Sequence, residues 1–95
     1  MAPLTERDIQ EALRDLSDWE VAGDRLVFTH DFGTFRAAMA FLVRVGFEAE
    51  AMNHHPEIHN VYGRVRLELT THDAGNRVTQ LDVDLARRLV AVLEG

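Results

Sequence analysis

The chain has 95 residues, no cysteine, and a formal net charge of −6 from 16 acidic and 10 basic side chains. That excludes disulfides and thiolate metal sites, and it argues against nucleic acid or an anionic membrane as the main partner, because phosphate binding needs a basic face. A domain this small buries a modest share of its surface, so its stability rests on good packing or self-association.

All ten basic residues are Arg, which reads as coding bias. Residues 1–20 hold no basic-then-apolar targeting segment, and no apolar run approaches the roughly 20 residues of a membrane span. The expectation is one domain over 1–95, soluble and cytoplasmic.

The first predicted element is a helix. Thr5 caps it, with Asp8 as capping-box partner, and Ile9, Ala12, Leu13 and Leu16 share one face. Trp19 to Ala22 reads as a short strand, and Gly23-Asp24 as a hairpin turn. Leu26, Phe28 and Phe32 then alternate with Val27 and Thr29, the pattern of a strand with one face on a core.

The longest predicted helix runs from Thr34 to about Asn53. Phe35, Ala38, Met39, Leu42, Val45 and Ala49 make one apolar face, while Ala37, Ala40, Phe41, Phe47 and Ala51 occupy much of the rest. A helix apolar nearly all round needs cover on more than one side. Few other elements exist to provide it, so the spacing predicts a second subunit against this helix.

Asn53-His54-His55-Pro56 ends it, since proline disfavours the helical conformation in the residue before it. Strands follow at about Ile58–Tyr62 and Arg64–Thr71, joined at Gly63. In the second, Val65, Leu67 and Leu69 alternate with Arg66, Glu68 and Thr70. Residues 72–76 form a loop, and Thr79 caps a last helix with Leu81, Leu85, Leu89 and Val92 as its core stripe. The order α-β-β-α-β-β-α predicts an α+β fold, a four-stranded antiparallel sheet with three helices on one face.

Five histidines occur, at 30, 54, 55, 59 and 72. Histidine gives and takes protons near neutral pH. His54 and His55 close the long helix and His72 closes the last strand, so all three belong to element ends that commonly meet at one rim. Taken singly, each also has a structural explanation: a helix C-terminus favours His54 and His55 through the macrodipole, and His72 opens a polar loop. His30 and His59 lie within strand patterns without polar companions and read as structural. Asp82 sits at the third position of the last helix, where an acid stabilises the helix start. Glu50 lies four residues before His54, a spacing that would let it orient that imidazole.

A metal site is disfavoured. Adjacent His54 and His55 point apart, Pro56 keeps His55 and His59 off a shared helix, and no HExxH occurs. A nucleophilic triad is disfavoured too, because Ser17 is the only serine.

The ordered set Glu50, three residues, His54-His55-Pro56, five residues, Tyr62, nine residues, His72, nine residues, Asp82 resembles the signature of the pterin-4a-carbinolamine dehydratases. Asn60-Val61-Tyr62, Thr71-His72-Asp73 and Leu81-Asp82 add to it, and the resemblance covers essentially the whole chain. It implies dehydration of a 4a-hydroxytetrahydropterin to the quinonoid dihydropterin, in service of aromatic amino acid hydroxylases. It implies His54 and His72 as the acid–base residues and His55 as a positioning partner. Glu50 would orient the histidine pair, Pro56 belongs to the same motif, and Asp82 would shape the site with His72 as its candidate partner. No metal or cofactor is implied. The implied partners are the pterin and copies of the chain, in a homodimer or homotetramer formed through sheet edges and the long helix. Two positions depart from the pattern: Ile58 stands where many relatives carry Trp, and Leu81 where some carry a charge. The family also includes non-catalytic binding and assembly factors. The chaperone-like ones tend to lose the histidines that this chain keeps.

Overall fold

Each of the three helices starts behind a threonine. The computed structural model describes residues 2–95. Thr5 precedes α1 (Glu6–Leu13), Thr34 precedes α2 (Phe35–Met52) and Thr79 precedes α3 (Gln80–Glu94). In each case the threonine is extended and its hydroxyl accepts a backbone N–H that the helix start leaves without a partner. Asp8 and Asp82 complete capping boxes by accepting the N–H of the capping threonine.

The strands are β1 (Trp19–Ala22), β2 (Arg25–Asp31), β3 (Glu57–Val61) and β4 (Arg64–Leu69), in sheet order β1-β2-β4-β3 with every neighbour antiparallel. The two hairpins therefore meet along β2 and β4, and α2 is the connection between them. One row of the sheet runs Trp19, Phe28, Leu67, Ile58, and the next runs Val21, Leu26, Leu69. All but Ile58, which is 46% exposed at the edge strand, face a core completed by Ala38, Phe41, Val45 and Ala49 of α2 and by Val83, Leu85, Ala86, Leu89 and Val92 of α3. Ile9, Ala12 and Leu13 of α1 pack on its margin. The architecture and element order match the expectation from periodicity. No helix among the described residues is long and apolar enough to cross a membrane.

Some boundaries differ. Leu16 is buried, but it lies beyond the end of α1, reached through a turn. Strand β3 stops at Val61, and Tyr62 sits in the turn with φ 53°, a left-handed conformation unusual for an aromatic residue. Gly63 follows because of a close approach: a Cβ there would lie 2.9 Å from the backbone nitrogen of Thr34. That contact presses the β3–β4 turn onto the start of α2.

The phase of α2 also differs. Its core line is Ala38, Phe41, Val45 and Ala49, so Phe41 is buried and Phe35 is not. Phe35, Val43 and Phe47 are exposed, Phe47 by 70%. A helix apolar nearly all round carries only a weak periodic signal to set its rotation.

The far face of the sheet is charged. Arg25 binds Glu57 and Glu68, and Arg66 binds Glu68 at 2.8 Å. Val27 points this way yet is buried, in register with Glu20 and Glu68; long charged side chains cover such neighbours with their stems.

Candidate active site

The site is built where α2 ends. Asn53 adopts a left-handed conformation (φ 50°, ψ 42°) as the C-cap, the role asparagine shares with glycine. Its N–H and that of His54 return to the carbonyls of Glu50 and Ala49. The left-handed step takes His54 out of helical phase, and Pro56 holds His55 extended. His54 turns inward, with its side chain 11% exposed, and His55 turns outward at 58%.

His54 meets the first turn of α3. Its Nε2 lies 2.6 Å from Oδ1 of Asp82, which is fully buried. The other carboxylate oxygen, Oδ2, accepts the Thr79 N–H and the Thr71 hydroxyl, each at 2.8 Å. The capping acid is thus also the partner of a histidine from another helix. An ionised carboxylate only accepts, so against it a neutral imidazole carries its proton on the bonded Nε2 and leaves a lone pair on Nδ1. Two backbone and side-chain donors and the N-terminus of α3 stabilise the buried charge.

Two pairings expected from sequence are corrected. Of the histidine pair that Glu50 was expected to orient, it binds His55, with Oε1 at 3.0 Å from Nε2, and not His54. The left-handed cap at Asn53 is the reason, because i and i+4 residues meet only while the helix continues. Asp82 holds His54 and not His72. His72 opens a 3₁₀ turn (His72–Ala74) and is exposed, whereas Asp82 points back into the interior toward Thr71.

His54, His55 and His72 nevertheless line one cleft of about 260 Å³, together with Thr71, Asp73 and Leu81. Glu50 reaches it through His55. Pro56 does not line it and acts on the backbone of His55. Ile58 lies outside the cleft as well, so having Ile there in place of an aromatic removes no wall of the cleft within the chain. Tyr62 is at the opposite end of β3. Thr71 and Thr79 were legible as a strand end and a helix cap, but their contact with each other and with Asp82 carries no local sequence signal.

A larger concavity, about 510 Å³, lies over the charged sheet face beside His59, Arg64 and Arg66. His59 has polar companions after all: its Nε2 is 3.9 Å from carboxylate oxygens of both Glu57 and Glu68. His30 lies edge-on to Phe32, with ring centroids 4.4 Å apart, in keeping with a structural role. Glu68 is held below the usual carboxylate range, first by its hydrogen bond from Arg66 and further by the charges of Arg66 and Arg25. Among the described residues no three His, Cys, Asp or Glu side chains are grouped as a metal site.

The fold and the cleft define a small α+β protein with a histidine–carboxylate pair at the junction of two helices and a strand end. The chain belongs to the pterin 4 alpha carbinolamine dehydratase family, whose model matches residues 2–92. It is 58% identical over 85 residues to an Opitutus terrae protein provisionally assigned as a pterin-4-alpha-carbinolamine dehydratase, covering 90% of this chain and 88% of that one. A Solibacter usitatus protein with the same provisional assignment is 46% identical over 92 residues, covering 97% and 96%. The crystal structure of a transcriptional coactivator/pterin dehydratase from Brucella melitensis superposes with a TM-score of 0.88 at 39% identity, covering 95% of this chain and 97% of that one. A pterin dehydratase-like RuBisCO assembly factor of the alpha-carboxysome shares the fold alone, with a TM-score of 0.63 at 20% identity over 78% of this chain and 84% of that one.

Proposed function

We propose that this protein is a hydro-lyase that dehydrates a 4a-hydroxytetrahydropterin to the quinonoid dihydropterin. The observation that carries the reading is the His54–Asp82 pair in a cleft shared with His55 and His72. Loss of water requires a proton on the departing C4a hydroxyl and removal of the proton on N5. His54 takes the N5 proton at Nδ1, and Asp82 stabilises the imidazolium that forms. His72 delivers a proton to the hydroxyl, which leaves as water, and solvent returns both imidazoles to their starting states. His55, backed by Glu50, positions the substrate. Acid–base catalysis of this kind supplies typically ~10²–10⁴-fold. The product, once reduced elsewhere, restores the tetrahydropterin used by aromatic amino acid hydroxylases. The absence of cysteine agrees with a cytoplasmic setting.

A homodimer or homotetramer belongs to the same proposal. Phe35, Val43 and Phe47 form an exposed apolar stripe along α2, and a second copy would cover it. A role as a binding or assembly factor is less favoured, because the histidine set and its carboxylate partners are intact.

The test is dehydration of freshly generated 4a-hydroxytetrahydropterin, followed by ultraviolet absorbance, with the protein and with His54→Ala. Acceleration that the variant loses supports the reading. Folded protein without acceleration refutes it and favours the binding role.

A further inference from the structure

Thr71 precedes the cleft histidine His72, but its hydroxyl points the other way, into the interior. Thr71 is 5% exposed, and Thr79 and Asp82 are fully buried. Each hydroxyl has one proton, so the direction of every bond in the cluster is determined. The Leu81 N–H donates to Thr79 Oγ1 at 3.3 Å. Thr71 Oγ1 lies 2.8 Å from Asp82 Oδ2, and a carboxylate accepts, so the Thr71 proton goes there. The 2.7 Å contact between the two threonine hydroxyls must then be filled by the proton of Thr79. The chain of donors runs from Leu81 through Thr79 and Thr71 to Asp82, and it meets the proton of His54 Nε2 arriving from the other side. Every proton of the cluster is committed to one acceptor, so no other arrangement of its donors keeps all of these bonds.

We propose that Thr71 is a positioning residue, whose hydroxyl orients Asp82 and thereby holds His54 in the tautomer that leaves Nδ1 free for substrate. This rests on the dehydration proposed above. Thr71 touches no substrate and acts only through Asp82. Without its hydroxyl, Asp82 Oδ2 retains only the Thr79 N–H, and the Thr79 hydroxyl loses its acceptor inside the protein. The carboxylate is then free to rotate, and His54 is free to exchange tautomers or swing.

The test uses the full chain with ¹⁵N-labelled histidine. Proton–nitrogen multiple-bond NMR reports which ring nitrogen of His54 bears the proton, and the dehydration assay reports kcat and KM. The expected wild-type pattern is protonated Nε2. Thr71→Val, nearly isosteric, mixes the tautomers and lowers kcat about tenfold or more with KM little changed, roughly the factor supplied by one hydrogen bond to a charged group. Thr71→Ser restores both. If Thr71→Val does not fold, Asp82→Asn carries the test: the Thr71 and Thr79 donors claim the amide oxygen, its NH₂ faces His54, and the proton moves to Nδ1. A wild-type tautomer and kcat in Thr71→Val, a failure of serine to rescue, or Nε2–H retained in Asp82→Asn overturns the proposal. Wild-type protein that shows the Nε2–H tautomer but no dehydration sinks the reaction assigned to the site, while the tautomer comparison still reports what Thr71 does.

Discussion

Replacing His54 separates its structural role from the chemical one proposed for it. His54→Ala removes the proposed base and also one of three donors to a buried carboxylate. The chemical loss is the acid–base factor of ~10²–10⁴ in kcat, about 3–5 kcal/mol at 1.36 kcal/mol per decade. The structural loss is one hydrogen bond to a charged group, about 1.5–3 kcal/mol, and the lower end applies because the cleft admits water to the vacated space. For a chain of this length each kcal/mol lowers Tm by roughly 4–8 °C, so His54→Ala is expected to melt some 5–15 °C below wild type. Position alone, at the end of a helix, would suggest no such cost. His54→Gln places an amide N–H close to where Nε2 stood, keeps the bond to Asp82 and supplies no base. Its Tm is therefore expected near wild type while kcat falls as far as in His54→Ala. Scanning calorimetry and the absorbance assay give the two readouts. A His54→Gln variant with wild-type kcat refutes the base assignment, and a His54→Ala variant as stable as wild type refutes the buried pairing.

Other substitutions probe the rest of the framework. His72→Ala is expected to lose activity with Tm nearly unchanged, because the side chain is exposed, and a large drop in Tm would contradict that placement. Glu50→Gln is expected to raise KM more than it lowers kcat, since the residue acts on His55 at the cleft rim; steady-state kinetics decides it. Phe41→Asp puts a charge into the core and is expected to cost more than about 4 kcal/mol by urea unfolding. Phe47→Asp is expected to leave subunit stability within about 0.5 kcal/mol and to lower the mass measured by light scattering if a second copy covers α2. For Glu68 the folded-state pKa is lowered, so its contribution is complete above the unfolded value and disappears as pH falls through the lower, folded one. The stability difference between wild type and Glu68→Gln should therefore shrink on acidification through the carboxylate range and be flat near neutrality. Added salt should reduce it, because the pair is at the surface.

What the sequence determined by itself was everything that depends on near neighbours. The Thr5–Asp8 and Thr79–Asp82 boxes, the alternation along β4 and the end of the long helix just before His54-His55-Pro56 are effects within a few residues, and all are present in the fold. The histidines as a group were legible too, because strand and helix ends converge on one rim. Pairing of side chains was decided only by the tertiary structure. The left-handed turn at Asn53 moved Glu50 from His54 to His55, a shift that no i, i+4 rule contains. Asp82 found His54 across 28 positions of sequence, and Thr71 found Asp82 across 11. The rotation of α2 was decided there as well. With apolar residues nearly all round, little local distinguished Phe41 from Phe47, and packing between the sheet and α3 buried Phe41.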